Sequence, residues 1–160
     1  MFKDCPDGQG SHRVKDYIDT SSGLDNIFNR ESLLVVGFAQ SNCEANVLAA
    51  LARVCNQFKQ REDFSALTIA GDSLASRESQ QQLKQSYLIP DGIWTWHNYR
   101  NITDLINCGF NLEIDCGLSQ QLVLLDKNSQ IRGYYQVDDS EELDRLITEI
   151  NILFLEYSDK

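Results

Sequence analysis

The sequence predicts an α/β protein, with one central mixed sheet and flanking helices. Three observations carry that expectation. Two short runs, residues 33–38 (LLVVGF) and 65–70 (SALTIA), are almost wholly apolar, as strands buried on both faces are. Each run is followed by a segment with helical character. Residues 121–135, QLVLLDKNSQIRGYY, read as two strands joined by a polar Asp-Lys-Asn-Ser turn, a β-hairpin.

The elements follow in order. Residues 1–25 are polar and contain Gly and Ser, so they read as an irregular N-terminal segment with a short strand near 14–18; residues 26–160 form the single domain. After the first buried strand, the turn Gln40-Ser41-Asn42-Cys43 leads into a helix. Its apolar residues Val47, Leu48, Leu51, Ala52, Val54, Cys55 and Phe58 recur at helical spacing, and Ser41 and Asn42 are both suited to cap it. The second buried strand ends at Gly71-Asp72. Residues 76–88 form a helix that is polar on most faces and is stopped by Pro90.

A short strand is expected at 94–97. A short helix follows at 101–108, with Thr103, Ile106 and Phe110 toward the core and Gly109 just past its end. In the hairpin, Leu122 and Leu124 should face one side of the sheet and Val123 and Leu125 the other. Asp139 and Glu142 have the spacing of a capping box for the last helix, whose apolar stripe is Leu143, Leu146, Ile147, Ile150 and Leu153. Strands alternating with helices, closed by a hairpin and a helix, make a thioredoxin-like sandwich.

Composition narrows the function. A chain of 160 residues suffices for one domain with a proper core, and 42% hydrophobic and 24% charged content is ordinary for a globular protein. The net charge of −10 opposes binding to nucleic acid or to an anionic membrane surface. No segment is apolar and long enough to span a bilayer, and the first residues lack the apolar core of a signal peptide. The expectation is a cytoplasmic protein as the chain stands, or an extracytoplasmic one if a targeting segment has been removed.

The five cysteines, Cys5, Cys43, Cys55, Cys108 and Cys116, include no CxxC or CxxxC pair, and an odd number cannot all be paired within one chain. Cys55 falls on the inner face of the first helix, Cys108 at a helix end and Cys5 in the N-terminal segment. The two histidines, His12 and His97, have no second ligand at a metal-binding spacing. His97 with Trp94, Trp96 and Tyr99 makes an aromatic group that suits either a partner surface or the core. Asp115, Asp138 and Asp139 sit at turns or a helix cap, where carboxylates have structural work. No Ser-His-Asp motif, P-loop or dinucleotide fingerprint is present.

Several motifs together resemble the Sco/SenC family, thioredoxin-fold copper chaperones of cytochrome oxidase assembly. The run Ile131-Arg132-Gly133-Tyr134-Tyr135 after an acidic turn is similar to that family's last hairpin. Ile69 to Asp72 followed by Ser76-Arg77-Glu78, the Trp94-Thr95-Trp96 segment and the Gly109-Phe110 pair match in order, so the resemblance covers about residues 30–156. The family's chemistry implies a Cys-Pro-x-x-Cys-Pro turn at the start of the first helix and a His before the hairpin, three ligands suited to Cu(I). Those positions hold Asn42, Asn46 and Leu118 here. The resemblance thus implies a divergent member without the CxxxC pair or the ligand His. Family members are usually tethered outside the cytoplasm.

One thiol remains near the helix start. The helix N-terminus lowers the pKa of Cys43 and favours a thiolate, whereas Glu44 beside it opposes that; packed in the turn, Cys43 is simply a small side chain. Cys116 lies two residues before Leu118, on a loop that in this fold faces the helix start. The sequence therefore suggests a Sco/SenC-like protein with a degenerate copper and redox motif, acting as a binding or assembly factor with a protein partner and no expected cofactor. The alternatives are a thiol-dependent redox protein using Cys43, with or without Cys116, and a copper carrier with a rebuilt Cys43/Cys116 site.

Overall fold

The computed structural model describes residues 32–39, 45–70, 74–99, 102, 105, 106, 110 and 120–158. Their elements run β1 (Leu33–Ala39), α1 (Ala45–Phe58), β2 (Phe64–Ala70), α2 (Leu74–Tyr87), β3 (Trp94–Asn98), β4 (Gln121–Leu125), β5 (Ile131–Gln136) and α3 (Ser140–Ser158). The strands form one sheet in the order β3-β2-β1-β4-β5. β1 pairs in parallel with β2, and β2 with β3, while β4 runs antiparallel to both β1 and β5. The expected irregular segment at 1–25 and the strand near 14–18 lie outside the described residues.

β1 and β2 are buried along their whole length, which is why their sequences are continuous apolar runs rather than alternating ones. Successive side chains enter two different cores. Leu33, Val35, Leu122 and Leu124 face the core beneath α1, α2 and α3. Leu34, Val36, Leu67, Val123 and Leu125 face a second core closed by Ile102, Leu105, Ile106 and Phe110. Leu122/Leu124 and Val123/Leu125 thus divide as the alternation requires. In the segment expected as a helix at 101–108, Ile102, Leu105 and Ile106 have helical backbone and are buried. Thr103 lies outside the described residues.

The second core is fastened by an edge-on contact between Phe38 and Phe110, with centroids 4.9 Å apart, and by the Tyr134 hydroxyl donating to the Phe110 carbonyl at 2.6 Å. On the other face, Arg53 of α1 pairs with Asp144 of α3 at the surface. Phe58 packs edge-on against Phe154, with centroids 5.8 Å apart.

Three local expectations change in the folded chain. The capping box is only half formed. Asp139 does cap α3, accepting from the Glu141 and Glu142 amides at 3.0 and 3.4 Å, but the Glu142 carboxylate accepts from Arg145 Nε at 2.9 Å. A charged partner one turn on is a better donor than a neutral amide. Helix α2 ends before Pro90: Leu88 turns into the left-handed region at φ 54°, and the Ile89 amide donates to the Lys84 carbonyl at 2.9 Å.

The aromatic group is also split by the pleat. Trp94 and Trp96 pack on the core beneath α1–α3, while Tyr99 belongs to the opposite core and His97 is half-buried. Trp94 is wholly buried, and its indole N–H donates to Thr68 Oγ1 at 2.9 Å. Thr68 in turn donates to Gln80 Oε1 at 2.6 Å. α2, polar in sequence, therefore presents a polar residue inward because a buried indole and hydroxyl need partners.

The hairpin turn is the four-residue segment read from the sequence: the Ser129 amide donates to the Asp126 carbonyl at 3.0 Å, with Ser129 at φ 63° and a register shift between Leu124 and Leu125. Asp126 holds it, its Oδ1 accepting from the Asn128 and Gln130 amides at 2.9 and 3.0 Å.

Candidate functional site

Helix α1 packs against β1 at Gly37. A Cβ on Gly37 would lie 2.6 Å from Val47 Cγ1, 2.8 Å from Leu51 Cδ1 and 3.1 Å from Leu122 Cδ2, so only glycine allows the helix this close. The contact sets the first turn of α1 over the end of β1. Ligands of open α/β sheets bind at the carboxyl ends of the parallel strands, beside such a helix start. The first turn of α1 carries no acidic side chain, and its leading amides have no intrahelical acceptor.

Asn46 lies in this first turn and is exposed. It is the one family ligand position among the described residues. Asn42, Cys43, Cys116 and Leu118 lie outside them, as do Asp115, Cys5, Cys108 and His12. Cys55 is fully buried in α1, and burial pushes its thiol well above the usual range despite the Lys84 ammonium nearby. That makes it a core side chain rather than a nucleophile.

His97 pairs with Ile69 on β3, two strands across from β1, and its side chain leaves the sheet on the face opposite α1. Two strand spacings are about 10 Å, so His97 does not converge with Asn46. Asp138 and Asp139 are exposed, and Asp139 is taken up by the α3 cap. Among the described residues, no group of three or more His, Cys, Asp or Glu side chains is placed to hold a metal ion. The Asn46 amide itself is a poor ligand for a soft ion such as Cu(I). Copper thus does not fit the donors described here.

One residue at this end of the sheet escaped the reading of the sequence. Gln120 is only 7% exposed, and neither Nε2 nor Oε1 of its side chain has a hydrogen-bond partner among the described residues. Its carbonyl is held by the Val137 amide at 2.9 Å, which extends the β4–β5 ladder. The signal was available: Gln120 has the same parity as Leu122 and Leu124, so a period-two reading extended by one step points it inward.

No protein-family model matches the chain, and no curated protein matches it. Among solved structures, the thioredoxin domain of a thiol-disulfide oxidoreductase from Bacteroides vulgatus superimposes with a TM-score of 0.52 at 14% identity, over 78% of this chain and 81% of that one. The chain has a thioredoxin-like fold. Two Sco proteins share this thioredoxin-like architecture. BsSco, a member of the Sco family of cytochrome c oxidase assembly proteins, gives a TM-score of 0.61 at 13% identity, over 80% of this chain and 82% of that one. A SCO1/SenC family lipoprotein from Bacillus anthracis gives 0.57 at 15%, over 78% and 83%. At such identities the likeness is one of fold. No described helix of this thioredoxin-like domain is long and apolar enough to cross a membrane.

Proposed function

We propose that this thioredoxin-like protein is a divergent Sco/SenC-type binding or assembly factor, one that engages a protein partner without copper or disulfide chemistry of its own. The observation that carries the reading is Asn46. It sits exposed in the first turn of the helix that follows the central strand, where the family pattern requires a thiolate. An amide there can hydrogen-bond a partner, but it cannot exchange disulfides or grip a soft ion. The likeness to BsSco supports a setting in respiratory or copper-related assembly, and the likeness to a SenC-type lipoprotein supports a place outside the cytoplasm.

The second reading is a thiol-dependent redox protein using Cys43, with or without Cys116, and the likeness to a thiol-disulfide oxidoreductase domain favours it. A copper carrier with a Cys43/Cys116 site is the third. One experiment separates them. The reduced protein is titrated against a competing Cu(I) chelator, and its folded-state thiols are titrated in parallel. The expected result is no stoichiometric Cu(I) uptake and no fast-reacting thiol. Tight uptake abolished by Cys43→Ser establishes the copper carrier instead. A fast Cys43 thiol without copper binding establishes the redox protein.

A further inference from the structure

The open edge of β5 is closed by two side chains of α3. In an antiparallel ladder, hydrogen-bonded and non-bonded pairs alternate. The Val137 amide donates to the Gln120 carbonyl, so the next bonded pair is Leu122 with Tyr135. Tyr134 and Gln136 therefore turn their main-chain groups away from β4. β5 is the last strand of the sheet, so these groups face its edge. Such an edge is a template for another strand.

Both residues are already engaged. Arg145 Nη2 donates to the Tyr134 carbonyl at 3.2 Å. The Arg145 guanidinium, chiefly, and a hydrogen bond from the Gln136 amide hold the Glu142 carboxyl below its usual value. Glu142 and Arg145 are joined to each other by two hydrogen bonds of 2.9 and 3.3 Å. The guanidinium also lies over the Tyr135 ring, 4.4 Å from its centroid. One ion pair thus takes the acceptor and the donor that a neighbouring strand would use. A surface ion pair within a helix stabilises little, and holding an arginine in one rotamer costs entropy, so helix stability alone does not account for this placement. The other half of β5 is protected differently. The register shift opposite Leu124 and Leu125 breaks the regular edge near Arg132. The ion pair covers the half that this irregularity leaves regular.

We infer that Glu142 and Arg145 guard the β5 edge against pairing with a second copy of this chain. The edge is self-complementary. The Tyr134 carbonyl and the Gln136 amide lie two residues apart and face the same way. Antiparallel pairing about a twofold axis at Tyr135 would bring each against the other's counterpart on the second copy. The net charge of −10 keeps copies apart at long range, whereas the guard acts at contact. The inference is independent of the chemistry at the start of α1, and so of the proposed function.

The test is sedimentation equilibrium of the full chain over a concentration series, in salt of about 0.15 M, which screens exposed charges more than about 8 Å apart. The double variant Glu142→Ala/Arg145→Met removes one charge of each sign and keeps an apolar stem over Tyr135. It should dimerise roughly tenfold more tightly than the wild type, or better. Adding Gln136→Pro should abolish that gain, because it deletes an edge amide that β4 does not use. Deuterium exchange at the Gln136 amide of the double variant should slow as concentration rises. Equal association of the double variant and the wild type overturns the inference. A dimer that survives Gln136→Pro overturns it too, since that dimer forms elsewhere. Arg145→Met alone decides the question if the double variant does not fold. It makes the chain more negative, so tighter association than the wild type comes from the opened edge, and no gain in association overturns the inference.

Discussion

Leu88 closes α2 at φ 54° with 78% of its surface exposed, so its side chain gains little from packing while its backbone is strained. The hydrogen bonds around it, Leu88 N–H to Gln85 O at 3.3 Å and Ile89 N–H to Lys84 O at 2.9 Å, are those of a helix end that normally uses glycine. Leu88→Gly should therefore stabilise the protein by about 1 kcal/mol, read as a rise in the urea midpoint at unchanged slope. A lower midpoint would show that the leucine is held by contacts worth more than the strain. Gly37 is the converse case, a residue chosen for the space it leaves. The sequence shows a glycine inside an apolar run; only the nearness of Val47, Leu51 and Leu122 tells why it is there.

At the scale of elements, β4 is the most constrained. It is paired on both sides, to β1 and β5, and Leu124 is fully buried in the core beneath the helices. Leu124→Ala should cost about 2–5 kcal/mol, measured by chemical denaturation. A loss near zero would mean that the neighbouring side chains collapse into the space without penalty. This strand was legible in the sequence because burial in two different cores makes it a continuous apolar run. Helix α2 was legible only as a helix. Its inward residues, Gln80 and the stem of Lys84, are polar by type, and their burial depends on partners supplied from β2, β3 and the following turn: Thr68, Trp94 and Asp91.

For the whole molecule, the net charge of −10 makes acid a mixed influence, since protonation relieves repulsion while it breaks native ion pairs. Asp63, two residues from Arg61 at the foot of β2, shows the second effect. Hydrogen bonds from the Arg61 guanidinium hold its carboxyl below the ordinary value of 3.8. A depressed pKa adds stability above the unfolded-state value, and the gain is lost as pH falls through the folded one. The pair is partly exposed, so its worth is well under about 1 kcal/mol. The stability difference between wild type and Asp63→Asn should be largest above about pH 5 and close toward about pH 3. A difference independent of pH would show that the asparagine acts through packing alone.

The sequence by itself determined the order of elements, the two-sided burial of β1, β2 and β4, and the apolar stripes of α1 and α3. These are local periodicities, repeated wherever an element must bury a face. It also determined that the helix start has asparagines at the two positions where the resembling family has cysteines. Only the tertiary structure decided that Trp94 and Tyr99 belong to different cores, that Glu142 turns to Arg145 instead of back to the cap, and that Gln120 is buried without a partner. Those outcomes depend on which residues distant in sequence arrive beside one another, and a hydrogen bond is made or missed by that placement, not by residue type.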